Sequence, residues 1–237
     1  MSRYSNPILK IDKFDKSYRG EEAFSASGVY NKTAILFVLC FITASFTFSE
    51  GQTSLMITGL VAGLILALIT SFKKEWAPIT APLYAVAEGA ALGGISFMYA
   101  QQTQGIVTNA ILTTLTLFLT MLFLFRTRII KVTQKLKVGI MASMGAIFLL
   151  YIISMVMGFF GHGIPFIHDT GPIGIGFSLV VVGIASFSLL LDFDFIETIE
   201  SRGGPKYLEW YAGFGLMVSL VWIYMEVLRL LSKLNRR

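Results

Sequence analysis

Charge is scarce in this chain. Of its 237 residues only 14% are Asp, Glu, Lys or Arg, against about 25% in an ordinary soluble domain. A chain so poor in polar skin does not suit a globule bathed in water. Cysteine is nearly absent. The lone Cys40 excludes a disulfide or a thiolate metal site within one chain, and it reads as a small buried hydrophobe. Alternating apolar and polar residues are missing too, which excludes barrel strands. Nucleotide-binding, zinc-protease and nucleophile-elbow patterns are lacking, and no enzymatic activity is expected. No cleavable leader is visible in the polar first thirty residues, so insertion is expected to begin at the first internal apolar segment.

What is present is hydrophobic: 55% of residues, with a mean hydropathy of +0.72. Long apolar runs, each near the ~20 residues that span a bilayer, predict helices. They cover Thr33–Phe48, Thr53–Phe72, Ile79–Ala100, Ile106–Phe125, Gly139–Phe160, Pro172–Phe193 and Tyr207–Leu231. Val29 and Tyr30 would extend the short first run. The expected fold is all-α, a seven-transmembrane-helix bundle over residues 31–237 behind a polar tail, residues 1–30. No internal repeat is evident, and a three-plus-three arrangement with a lone last helix is compatible with the spacing but unsupported by it.

The net charge of +5 is not a nucleic-acid signature, because the basic residues occupy gaps between apolar runs. The tail and the second, fourth and sixth connections carry Lys and Arg. The first, third and fifth carry none. The tail and even connections are therefore expected in the cytoplasm, with the chain multi-pass in the cell (inner) membrane. Arg229, Lys233, Arg236 and Arg237 resist this pattern, since a seventh crossing places them outside. Crossing is the favoured reading over re-entry. Gly and Ala crowd the third and sixth segments, which predicts close helix packing there. Leu and Phe dominate the second and fourth, which suits lipid. Tyr207, Trp210 and Tyr211 read as an interfacial aromatic belt.

An ionised side chain at bilayer depth costs about 3 kcal/mol, so each is a functional candidate. Glu88 is the deepest acid, either a cation or proton site or a protonated carboxyl bonded to a neighbouring helix. Asp192 and Asp194 close the sixth segment. Two residues apart on a helix, they face different ways and would not chelate one ion together. Asp194 reads better as an interfacial marker followed by Glu197 and Glu200, and Asp192 as the interior one. Glu226 forms an ion pair with Arg229 at i,i+3, or else joins another acid across the bundle and shares a proton with it. His162, His168 and Asp169 match no metal spacing, and a solvated loop is the simpler reading.

Several stretches carry a resemblance. They are Ser5-Asn6-Pro7-Ile8-Leu9, Ser27-Gly28-Val29-Tyr30-Asn31-Lys32-Thr33, Ala87-Glu88-Gly89 with Leu92-Gly93 and Ser96, Leu191-Asp192-Phe193-Asp194-Phe195-Ile196-Glu197, and Leu220-Val221-Trp222-Ile223-Tyr224-Met225-Glu226-Val227-Leu228-Arg229. In their order the chain resembles the Bax inhibitor-1 family, especially its bacterial branch. The resemblance implies a central last helix wrapped by the other six. It also implies a pH-sensitive calcium leak in which an acid late in the sixth helix pairs with one in the seventh. Asp192 matches the first, with Asp194 as fallback. The second position falls at Ser219 or Ile223, so the pair is shifted to Glu226, replaced by Glu88, or absent. Asp192 and Glu226 are thus the calcium-ligand candidates, with calcium a permeant ion rather than a cofactor. The resemblance further implies membrane-protease partners. Three functions stand open: a cation leak, a non-conducting membrane partner, and a proton-coupled transporter.

Overall fold

The computed structural model describes residues 23–51, 53–160, 164, 167 and 169–236. Seven helices account for nearly all of them: α1 (Ala26–Glu50), α2 (Thr53–Phe72), α3 (Ala77–Ala100), α4 (Ile106–Arg126), α5 (Gln134–Phe159), α6 (Pro172–Arg202) and α7 (Leu208–Asn235). Each is long and apolar enough to cross a bilayer. The fold is all-α, with one isolated bridge between Ala23 and Pro205 among the described residues.

Helix ends follow local chemistry. Ser25 caps α1 by accepting the Gly28 N–H at 3.0 Å, and Gly51, at φ 58°, ends it in the left-handed region. The cap moves the start of α1 to Ala26, seven residues before the apolar run, because Lys32 finds a carboxylate in Glu209. Thr133 likewise starts α5 ahead of its apolar run. Helix α6 runs on to Arg202 and stops at Gly203, φ 67°. Asp192 therefore lies about 15 Å inside the helix, at 1.5 Å per residue, rather than at its end.

The helices form two triads around a seventh. Helix α3 packs against α1 and α2, α6 packs against α4 and α5, and α7 packs against α1, α3, α4 and α6. Helix α5 reaches α7 through Tyr151. The last helix is central, and Leu216, Met217, Ile223 and Leu228 on it are fully buried. A three-plus-three plan that no repeat in the sequence betrays is thus visible in the packing. Gly89 and Gly93 of α3 lie against Cys40 and Ala44 of α1, where any side chain would strike backbone. Helix α6 is closely packed as well. Gly174, Ala185 and Ser186 are buried there with Leu189, Leu190 and Phe193, while Gly176 and Gly183 face open space. Leu64 and Leu68 of α2 and Leu115 and Leu119 of α4 are exposed, as lipid-facing residues should be.

The two ends of the bundle differ in charge. One end gathers the start of α1, the 3-10 turn Lys74–Trp76, the α4–α5 connection and the α6–α7 turn. Phe24 N–H bonds Gly204 O at 2.8 Å there. Lys32 lies 5.7 Å from the Trp210 ring, and Lys74 lies 5.0 Å from Tyr211. Belt aromatics and lysines thus meet at the same level. At the other end Arg236 bonds Gln102 in the α3–α4 turn, and Lys233 bonds the backbone before and within the first turn of α6. Helix α7 therefore crosses completely, and its basic C-terminal turns end opposite the basic face.

Candidate functional site

Three interior carboxylates occupy three different helix interfaces. Asp192 faces α7 from α6. Its Oδ2 accepts the Ser219 hydroxyl at 2.5 Å, and Gly215 keeps the wall beside its Oδ1 open. Asp192 and Ser219 lie at similar distances from the basic end, about 15 and 17 Å along their helices. Among the described residues no lysine or arginine pairs with Asp192. The pair is a single carboxylate and a single hydroxyl bridging α6 and the central helix α7.

Glu226 is placed otherwise. It is only 2% exposed. Arg229 Nη1 donates to both of its oxygens at 2.9 Å, and Tyr151 Oη donates to Oε1 at 2.9 Å. Arg229 Nη1 also donates to Tyr151 Oη at 2.6 Å, with the guanidinium 4.9 Å from the ring. The result is a closed triad of acid, base and phenol that ties α5 to α7. Glu226 meets a cation here, and not Asp192.

Glu88 sits half-buried between α2 and α3. Gly63 of α2 faces its Oε2, and Tyr84, one turn earlier on α3, is its polar neighbour. Asp194 pairs with Lys137 of α5, which places it near the basic end, and Glu197 pairs with Arg128. Across the described residues, no group of three or more His, Cys, Asp or Glu converges as a metal site. His162 and His168 lie outside the described residues. Asp169 accepts the Gly171 N–H at 3.0 Å, just ahead of α6.

Two buried charges escape a reading based on apolar runs. Glu209, 2% exposed, accepts Ser25 N–H at 2.9 Å, Ser25 Oγ–H at 3.0 Å and the Lys32 ammonium. Lys233, 5% exposed, donates to Ile167 O, Gly174 O and Ser178 Oγ at 2.8–2.9 Å. Hydropathy windows place both near segment ends, where charge is unremarkable. Helical phase was the available signal. Glu209 shares a stripe with Leu216, Leu220, Ile223 and Val227, all of them buried.

Chemically, the Asp192–Ser219 pair offers oxygen ligands and one exchangeable carboxyl proton. The Glu226 triad offers a fixed cross-link. A family model described as Bax inhibitor 1 like matches residues 6–236. No curated protein matches the chain.

Proposed function

The chain belongs to the Bax inhibitor 1 like family, and from that premise we propose that it is a passive, pH-sensitive cation leak gated at the Asp192–Ser219 contact. The observation that supports this most is the intramembrane carboxylate of Asp192, bonded across the α6–α7 interface by a hydroxyl and, among the described residues, by no cation. As a carboxylate it attracts a hard cation and accepts the Ser219 proton. As a carboxylic acid it loses the charge that would hold an ion, and the α6–α7 packing resets between two arrangements. Calcium is the leading permeant ion. Asp192 and Ser219 supply two of the ~6–8 oxygens calcium takes, and carbonyls and water would supply the rest. On this reading the protein performs no reaction. It sits in the cell membrane with its basic end in the cytoplasm, since Lys and Arg cluster there.

Reconstituted vesicles test the proposal. Calcium, potassium and proton fluxes are compared across pH for the native chain, Asp192→Asn and Glu88→Gln. The gate predicts that Asp192→Asn flattens the pH dependence. Unchanged flux in both variants rejects the site, and no flux of any ion at any pH rejects the leak. A second reading draws on the solitary acid, because one carboxylate suits one proton. A proton-coupled transporter would show saturable uptake of a solute, and a leak would not. The anchor at Ser25 and Ala26 favours a third, non-conducting role in which the tail grips a membrane protein such as a protease. On that role the native chain moves no ion at any pH, and deleting residues 1–22 abolishes partner capture.

A further inference from the structure

The two triads do not close completely. Among the described residues α1 and α4 scarcely touch, and α6 lies behind the gap between them. A cleft of about 260 Å³ opens at the basic end of this seam. Its rim carries Arg126, Arg128, Glu197 and Glu200, and its floor is Leu122, Phe125 and Phe193. We propose that this cleft holds the headgroup of a zwitterionic phospholipid, its phosphate at Arg126 and its primary ammonium at Glu197 and Glu200.

Depth is the first argument. The cleft is built from the last turn of α4, the first turn of α1 and the late turns of α6. All three reach the bundle end where Lys and Arg collect, level with headgroups. Charge is the second. The rim carries two cations and two anions, so a plain anion gains little there, whereas a molecule with both charges meets both. Partner arithmetic is the third. Arg128 pairs with Glu197, and Glu200 Oε1 accepts the Ala26 N–H at 2.7 Å. Arg126 has no hydrogen-bond or ion-pair partner among the described residues. A phosphate would fill that place. The backbone adds a fourth. Arg128 is the non-glycine residue with positive φ, 57°, among the described residues. A strained turn that aims a side chain over a cleft is a feature of binding sites. The apolar floor then receives the glycerol and upper acyl carbons, which a soluble phosphate lacks. This proposal stands apart from the leak, although Phe193 on the floor adjoins Asp192.

The full chain in detergent is equilibrated with phosphatidylethanolamine, phosphatidylcholine and phosphatidylglycerol, and retained lipid is counted by native mass spectrometry. Phosphatidylethanolamine should be retained above the other two. Arg126→Gln should lower that retention about fivefold, the upper range for one exposed ion pair. Arg202→Gln, on the same face outside the cleft, should not. Glu197→Gln leaves the rim net positive and should turn the preference to phosphatidylglycerol. If Arg126→Gln fails to fold, Leu122→Trp, which fills the floor, must lower retention instead. Any other order of headgroups in the native chain overturns the proposal. So does a cleft variant that retains phosphatidylethanolamine undiminished.

Discussion

Replacing Arg229 by Met removes the cation from the Glu226 triad without removing bulk. The carboxylate left behind is 2% exposed and retains one neutral donor, the Tyr151 hydroxyl at 2.9 Å. Breaking a buried pair from one side costs about 3–5 kcal/mol. The Arg229 side chain is 29% exposed, so solvent already shares its charge and the lower end, about 3 kcal/mol, is expected. For a chain of this size that corresponds to a fall in Tm of roughly 6–12 °C. Removing both charges at once leaves nothing unpaired. Glu226→Leu with Arg229→Met should therefore return to within about 1 kcal/mol of the native chain. Thermal and chemical unfolding in detergent, run as a double-mutant cycle, measures both numbers. Native stability in Arg229→Met would refute the reasoning. A double variant as unstable as the single would refute it equally, because the damage would then lie in packing rather than in an orphaned charge.

Ser219→Ala leaves Asp192 without its donor and should cost about 1–3 kcal/mol, read by the same unfolding assay. Ser219→Asp sets two carboxyls within hydrogen-bond distance, and flux in vesicles should then titrate in two resolved steps instead of one. Gly93→Leu drives a side chain into the Ala44 backbone, so α1 and α3 cannot keep their spacing. A loss above about 3 kcal/mol, or failure to purify as a monodisperse species, is the expected result. Ser25→Ala removes the α1 cap and one Glu209 bond. A cost of about 1–2 kcal/mol is expected, with faster amide exchange confined to the first turn of α1.

All seven spans were legible for one reason: lipid punishes polar backbone, so an apolar run of sufficient length has few options, and what the runs missed was where some of the helices end. The exceptions share a cause. Helix α1 begins at Ala26 and α6 continues to Arg202 because Lys32 and Asp194 find opposite charges on other helices and Glu197 finds Arg128 in the α4–α5 connection. A hydropathy window sees those charges and not their partners. The lone last helix at the centre was legible only through resemblance. Its burial pattern is a packing fact, and its mixed composition, with Glu209, Glu226, Arg229 and Lys233, looks less like an interior helix than α2 does. The same partners explain how α7 crosses against the charge rule. Arg229 meets Glu226, and Lys233 meets three oxygens, so two of its basic residues are held inside the bundle. For the candidate site, the sequence named the acids but could not say what each one faces.

What each acid faces determines what a proton there could do. At Glu226 the counter-charge is built in, three residues along the same helix, and the carboxylate already has Arg229 and Tyr151 as partners. Glu88 lies between α3 and α2, and α2 is a peripheral helix packed on α3 with most of its surface toward lipid. A change of charge there shifts an outer helix that holds little else in place. Asp192 touches α7, which α1, α3, α4 and α6 all pack against. Altering the hydrogen bond to Ser219 therefore acts on the element that the two triads share. Of the three carboxylates, it is the one whose partner lies on the helix shared by both halves of the bundle, and the proposed gate is therefore put at Asp192 rather than at Glu88.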